Sequence, residues 1–133
     1  MNQPTPLSEE SLDALQHLKE TREINTVILR YPHHPGALEL DVEGNLTHDE
    51  MVQALPDAEP RLVVHELSFA SPEGTRRSER LLILWVPAAA TAHEEAYTAG
   101  YDALKELLPN VRVHLTARRA DQLEYRRLVA LAG

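Results

Sequence analysis

Leu12, Leu15 and Leu18 recur at close to helical spacing behind Leu7-Ser8-Glu9-Glu10-Ser11 and predict an amphipathic first helix with those leucines on its buried face. Ser8 suits the N-cap, Glu9 and Glu10 favour the positive end of the helix dipole, and Leu7 is placed to staple against Leu12. Residues 25 to 31 (NTVILRY) and 37 to 42 (ALELDV) read as two strands of a hairpin, turned through Pro32-His33-His34-Pro35-Gly36. Thr47-His48-Asp49-Glu50 has capping-box spacing and predicts a short helix to about Leu55, ended by Pro56. Residues 61 to 69 (RLVVHELSF) and 79 to 86 (ERLLILWV) flank a Ser-Pro-Glu-Gly turn and predict a second hairpin. The run from Leu81 to Val86 hardly alternates, as expected of a strand covered on both faces. A second capping box, Thr91-Ala92-His93-Glu94, opens a helix that runs to about Leu108 and is bounded by Pro109. Residues 111 to 116 (VRVHLT) alternate as a strand, and a last helix is predicted from about Ala120 to Leu131.

The predicted order is therefore α-ββ-α-ββ-α-β-α, in which residues 79 to 116 form a strand, a helix and a strand. Such a unit makes its two strands parallel, whereas the hairpins are antiparallel, so the sheet is mixed. The expected fold is α/β, a single mixed central β-sheet of about five strands flanked by helices on both faces. With 133 residues the chain suits one domain, expected over 7 to 133 behind a short polar tail at 1 to 6.

Charge modifies this picture more than composition does. The net charge is −8, which argues against nucleic acid as a partner because phosphate binding needs a basic surface. Residues 1 to 75 carry four Lys or Arg against fourteen Asp or Glu, a balance of −10, while residues 76 to 133 carry nine against seven, a balance of +2. That split allows two faces of different sign. There are no cysteines, which excludes disulfides and thiolate sites. The start lacks the basic and apolar regions of a signal peptide, and the longest apolar stretch, 81 to 92, is interrupted by Pro87. No membrane span and a cytoplasmic protein are the expectation.

Candidate chemistry is sparse. His17, His33, His34, His48, His65, His93 and His114 lie on different elements without an i, i+4 pair, so no metal site is expected. No glycine-rich phosphate loop and no nucleophile elbow surround Ser8, Ser11, Ser68, Ser71 or Ser78, and no cofactor is indicated. Glu94 and Glu95 are adjacent on a helix and point about 100° apart, which suits capping better than catalysis. An enzyme is not expected. Arg76, Arg77 and Arg80 at the second hairpin, with Arg118, Arg119, Arg126 and Arg127 at the last helix, would join into one basic patch if those elements are neighbours.

Several stretches together resemble one family: Leu7-Ser8-Glu9-Glu10-Ser11-Leu12 with Leu18-Lys19, Leu55-Pro56 leading to Pro60-Arg61-Leu62-Val63-Val64, Glu73-Gly74-Thr75-Arg76-Arg77-Ser78, and Trp85-Val86-Pro87 followed by Tyr97 and Asp102-Ala103-Leu104. They resemble the actin-depolymerising factor homology domain of the ADF/cofilin family across nearly the whole chain. The resemblance implies a monomeric, non-enzymatic, cofactor-free protein that binds actin or an actin-like protein, as monomer or filament, often with severing. It implies a first actin-binding face at the N-terminal tail and the front of the long helix, here Thr5, Leu7, Ala92, Glu94, Glu95 and Thr98. It implies a second, filament-side basic face at Arg76, Arg77, Arg80, Arg126 and Arg127. Where the family's long helix presents basic residues and a methionine, this sequence has Ala92, Glu94 and Glu95. Lys19-Glu20-Thr21 and the segment from Leu55 to Arg61 also resemble the glia maturation factor branch, so the alternative is an interaction module of that type that binds an actin-related complex or another non-actin partner.

Overall fold

The computed structural model describes residues 7–31, 37–89 and 94–133. Chain order is α1 (Glu9–Glu20), β1 (Thr26–Arg30), β2 (Glu39–Gly44), α2 (His48–Gln53), β3 (Arg61–Ala70), β4 (Arg76–Trp85), α3 (Glu94–Leu107), β5 (Val113–Ala117), a 3-10 turn (Ala120–Leu123) and α4 (Tyr125–Ala132). The five strands form one sheet in the order β2-β1-β3-β4-β5. Every pairing is antiparallel except β4 with β5, which is parallel. The mixed sheet expected from the element order is the observed one.

Strand parity divides the interior into two layers. Val27, Leu29, Leu62, Val64, Leu82 and Leu84 point to the face covered by α1 and α3, with Leu15, Leu18, Tyr101 and Leu104. Ile28, Val63, Leu67, Leu81, Ile83 and Trp85 point the other way, to Met51 of α2 and Leu128 of α4. Residues 81 to 86 are all buried, which explains their lack of alternation.

Local signals account for the element ends. Thr47 and Glu50 form the expected reciprocal cap: Glu50 N–H donates to the Thr47 hydroxyl (3.1 Å) and Thr47 N–H to the Glu50 carboxylate (2.8 Å). The β3–β4 turn needs glycine, since Gly74 has φ +84°. Its Ser71 N–H donates to the Thr75 carbonyl and the Ser71 carbonyl accepts from Gly74 N–H, each 2.8 Å long, while Thr75 N–H donates to the Ser71 hydroxyl at 3.2 Å.

Four sequence expectations change. On α1 the buried face is Ser11, Ala14, Leu15 and Leu18, and Leu12 is 47 % exposed. The i, i+3, i+4, i+7 stripe begins at Ser11, whose hydroxyl is satisfied inside by the Leu38 carbonyl at 2.8 Å. Leu7 does not staple to Leu12 but bridges to Leu38, with Ser8 N–H bonded to the Leu38 carbonyl at 3.0 Å. Strand β4 begins at Arg76 rather than Glu79, because pairing with β3 persists to Ala70 opposite Arg76. The last helix is broken: Glu124 is extended (φ −58°, ψ 143°) between the 3-10 turn and α4. The Gln122 side-chain Oε1 there accepts from Arg118 N–H (2.6 Å) and Arg119 N–H (3.1 Å), which tightens the turn before the helix starts. The first hairpin turn and the second capping box, with Thr91 to His93, lie outside the described residues.

Tyr97, Gly100, Tyr101 and Leu104 are the buried positions of α3. At Gly100 a Cβ would stand 3.0 Å from both Leu62 Cδ1 and the Tyr31 hydroxyl, so glycine permits the close approach of α3 to the sheet. Gly100→Leu is expected to cost about 1–3 kcal/mol by overpacking, read as a lowered denaturant midpoint.

Candidate functional site

The first candidate face is built around the start of α3. Glu94, Glu95 and Thr98 are all exposed on its first turns, and the Thr98 hydroxyl turns back to the Glu94 carbonyl at 3.0 Å. Leu7 is half-buried where the chain enters α1, while Thr5 and Ala92 lie outside the described residues. Glu94 is met by Arg118 at 3.4 Å, so part of the acidic helix front is neutralised from the turn after β5. Arg119, next to it, pairs with Asp121 at 2.9 Å and draws that carboxyl below its ordinary pKa.

What holds this helix front is a polar anchor beneath it. The Tyr31 N–H donates to the Tyr97 hydroxyl at 2.8 Å, and the two rings meet edge to face with centroids 4.9 Å apart. Arg61, 7 % exposed at the start of β3, lies close enough to act on the same phenol. It donates to Asp41 (3.0 Å), Glu59 (3.2 Å) and the Pro60 carbonyl (2.8 Å). Burial works against the guanidinium charge, but the bonds to the two carboxylates outweigh it and hold the pKa above its ordinary value. Burial likewise pushes the Tyr97 phenol up. Tyr97 and Arg61 were visible in the sequence only as parts of a helix and a strand, and no spacing rule linked residues so far apart in the chain.

The second candidate face does not gather all seven arginines. Arg118 and Arg119 follow β5, whose last residue Ala117 is level with Trp85, whereas Arg76 is at the other end of β4. Nine strand residues at about 3.3 Å each separate the two groups by roughly 30 Å. Side-chain alternation then divides the hairpin group. Arg80 shares the parity of Leu82 and Leu84, turns to the α1 side, donates to the Leu18 carbonyl at 3.3 Å and stands 4.0 Å from Glu66. Arg77 shares the parity of Leu81 and Ile83, and its guanidinium lies over the Phe69 ring, 5.7 Å from the centroid. Phe69 packs in the same layer as Leu128, Val129 and Ala132 of α4, which carries the exposed Arg126 and Arg127. Arg77 thus lies on the layer that receives α4, the helix that carries Arg126 and Arg127; Arg127 also acts on Asp121, the partner of Arg119, and Arg76 shares the parity of Arg80, which is turned away.

Among the described residues no group of three or more His, Asp or Glu is arranged to hold a metal ion. Among them, too, no helix is long and apolar enough to cross a membrane.

Residues 4–131 match the family model described as cofilin/tropomyosin-type actin-binding protein. The chain is similar to Actophorin of Entamoeba histolytica, with 28% identity over 94 residues that make up 70% of this chain and 67% of that one. It is similar to Actin-depolymerizing factor 3 of Arabidopsis thaliana, 28% identical over 83 residues, 62% of this chain and 60% of the plant protein. In fold it is similar to the cofilin of Streptomyces griseoflavus, with TM-score 0.82, 18% identity and coverage of 96% of this chain and 98% of the other. Actin depolymerization factor 2 of Plasmodium berghei gives TM-score 0.82 at 17% identity, covering 98% of both chains.

Proposed function

The chain belongs to the cofilin/tropomyosin-type actin-binding family, and from that premise we propose that it is a cytoplasmic regulator of actin filament turnover that uses two separate faces. Proteins of this family bind actin and are not enzymes. The finer reading assigns one actin subunit to the α3 front, with Glu94, Glu95 and Thr98, and a neighbouring filament subunit to Arg77, Arg126 and Arg127. The observation that supports it is the position of Arg77 over Phe69, on the layer that receives α4. An acidic partner surface would suit such a face by charge complementarity.

Cosedimentation with filaments tests the reading. Wild-type protein is expected in the pellet, and the triple variant Arg77→Glu, Arg126→Glu, Arg127→Glu is expected to bind at least about tenfold more weakly, since opposed like charges cost more than the 1.4 kcal/mol that a tenfold change represents. Arg80→Met is expected to bind as wild type does, because Arg80 turns to the Leu18 carbonyl. Equal losses for Arg80→Met and the triple variant would remove the parity argument. Wild-type protein left in the supernatant with several actins, but retained by an actin-related complex, would favour the glia maturation factor type of partner.

A further inference from the structure

A cleft of about 350 Å³ lies between the start of α2, the middle of β3 and the start of α4, next to the layer on which Arg77 and α4 lie. His48, His65, Glu66, Ser68 and Tyr125 are among the residues that line it. Three of them, His48, His65 and Tyr125, have their ring or hydroxyl protons already committed to the protein.

The commitment is traceable bond by bond. The Asn25 amide is oriented by two backbone contacts, its Nδ2 donating to the Leu46 carbonyl (2.9 Å) and its Oδ1 accepting from Leu46 N–H (2.8 Å). That Oδ1 also takes the Thr26 hydroxyl proton at 2.8 Å. The single Thr26 proton being spent, the 2.8 Å contact between Thr26 Oγ1 and His65 Nδ1 requires the proton on Nδ1. His65 is therefore the Nδ1–H tautomer, and Nε2 keeps a bare lone pair. His65 is 2 % exposed, and among the described residues its ring is hydrogen-bonded at Nδ1, to Thr26. Tyr125 donates its hydroxyl proton to the Ser68 carbonyl at 2.8 Å, so its oxygen also offers only lone pairs. His48 donates from Nε2 to the Leu123 carbonyl and sets its ring edge to face with Tyr125, centroids 5.7 Å apart.

The geometry points to this cleft as a binding site for a hydrogen-bond-donating cation of the alkylammonium class, received by His65 Nε2 and the Tyr125 hydroxyl oxygen. An anion is disfavoured there, because the lining contains no lysine or arginine. A neutral polar ligand would satisfy the lone pairs equally well but would gain nothing from the aromatic faces of Tyr125 and His48, or from a chain of net charge −8. An ammonium group supplies three donors to such acceptors. The ammonium can come from a free diamine or from a lysine side chain of a partner.

Titration of the whole protein with putrescine, and separately with N-acetyl-lysine methylamide, distinguishes the sources while the histidine ring nitrogens are followed by long-range proton–nitrogen NMR at neutral pH. The expected result is a saturable shift of His65 Nε2 with at least one of them. It should be weakened in Tyr125→Phe and its companion shift at Tyr125 should be lost in His65→Asn, which retains a donor for Thr26 but has no Nε2. Saturation by the lysine derivative assigns the donor to a protein side chain, and saturation by putrescine alone assigns it to a small diamine; both outcomes support the site. A shift that never saturates, one reproduced by sodium chloride at equal ionic strength, or a Tyr125 response unchanged in His65→Asn overturns it. Because no actin enters the experiment, its result is independent of the filament reading.

Discussion

Folding stability is expected to fall by about 3 kcal/mol as the pH is lowered from 6.5 toward 4, and the responsible group is His65. Its pKa is lowered from 6.5 to about 4, first by burial, which penalises the charged ring, and then by the neighbouring His48. Below 6.5 the unfolded chain binds a proton at this position while the folded protein does not, so acid favours unfolding. The contribution is fully present above the unfolded pKa and is lost as the pH falls through the window to the folded value. A difference of about 2.5 units at 1.36 kcal/mol each gives the magnitude. Urea midpoints measured across that range check it in the wild type and in His65→Asn, whose amide can still donate to Thr26. The variant should lack most of the slope. An equal slope in both proteins would transfer the effect to the carboxylates.

Leu128→Ala is expected to cost about 2–5 kcal/mol, the range for truncating a large buried aliphatic side chain. Leu128 is the buried residue of the eight-residue α4, and its exposure is 0 %. A helix this short has little stability of its own, so its attachment depends on that side chain, supported by Val129 and Ala132 at the edge of the same layer. Arg126 and Arg127 flank Leu128 on the near side, and loosening the helix also releases them. Filament affinity should therefore fall together with thermal stability in Leu128→Ala. It should fall without a change in stability in Arg127→Glu, whose side chain is exposed. Circular dichroism melting alongside cosedimentation separates the two cases.

The same contrast shows which readings survive the step from chain to fold. The capping box at Thr47 and Glu50, the glycine turn at Gly74 and the doubly covered run from Leu81 to Val86 were legible because each depends on residues within one turn or one strand. Ser11 was not legible as a core residue, since a serine is buried only where a distant acceptor exists, and that acceptor is Leu38. The broken last helix was hidden for a related reason. Nothing between Ala120 and Leu131 is a glycine or proline, and the break follows from Gln122 reaching the backbone of Arg118 and Arg119.

By itself, then, the sequence determined the order of elements, the mixed sheet and the family resemblance, because periodicity, caps and turn residues are local quantities written directly in residue order. It also determined that the second half of the chain would carry the arginines. Only the tertiary structure decided which of them belong together. The sheet's alternation turns Arg80 to the α1 side and Arg77 to the α4 layer, and the length of β4 carries Arg118 to Glu94 at the far end. The tautomer of His65 was likewise decided by a chain of hydrogen bonds through Thr26 and Asn25 to Leu46, residues that only the folded sheet makes neighbours. Strand parity and long-range pairing are not local, and they set the direction and the proton of each side chain on which binding depends.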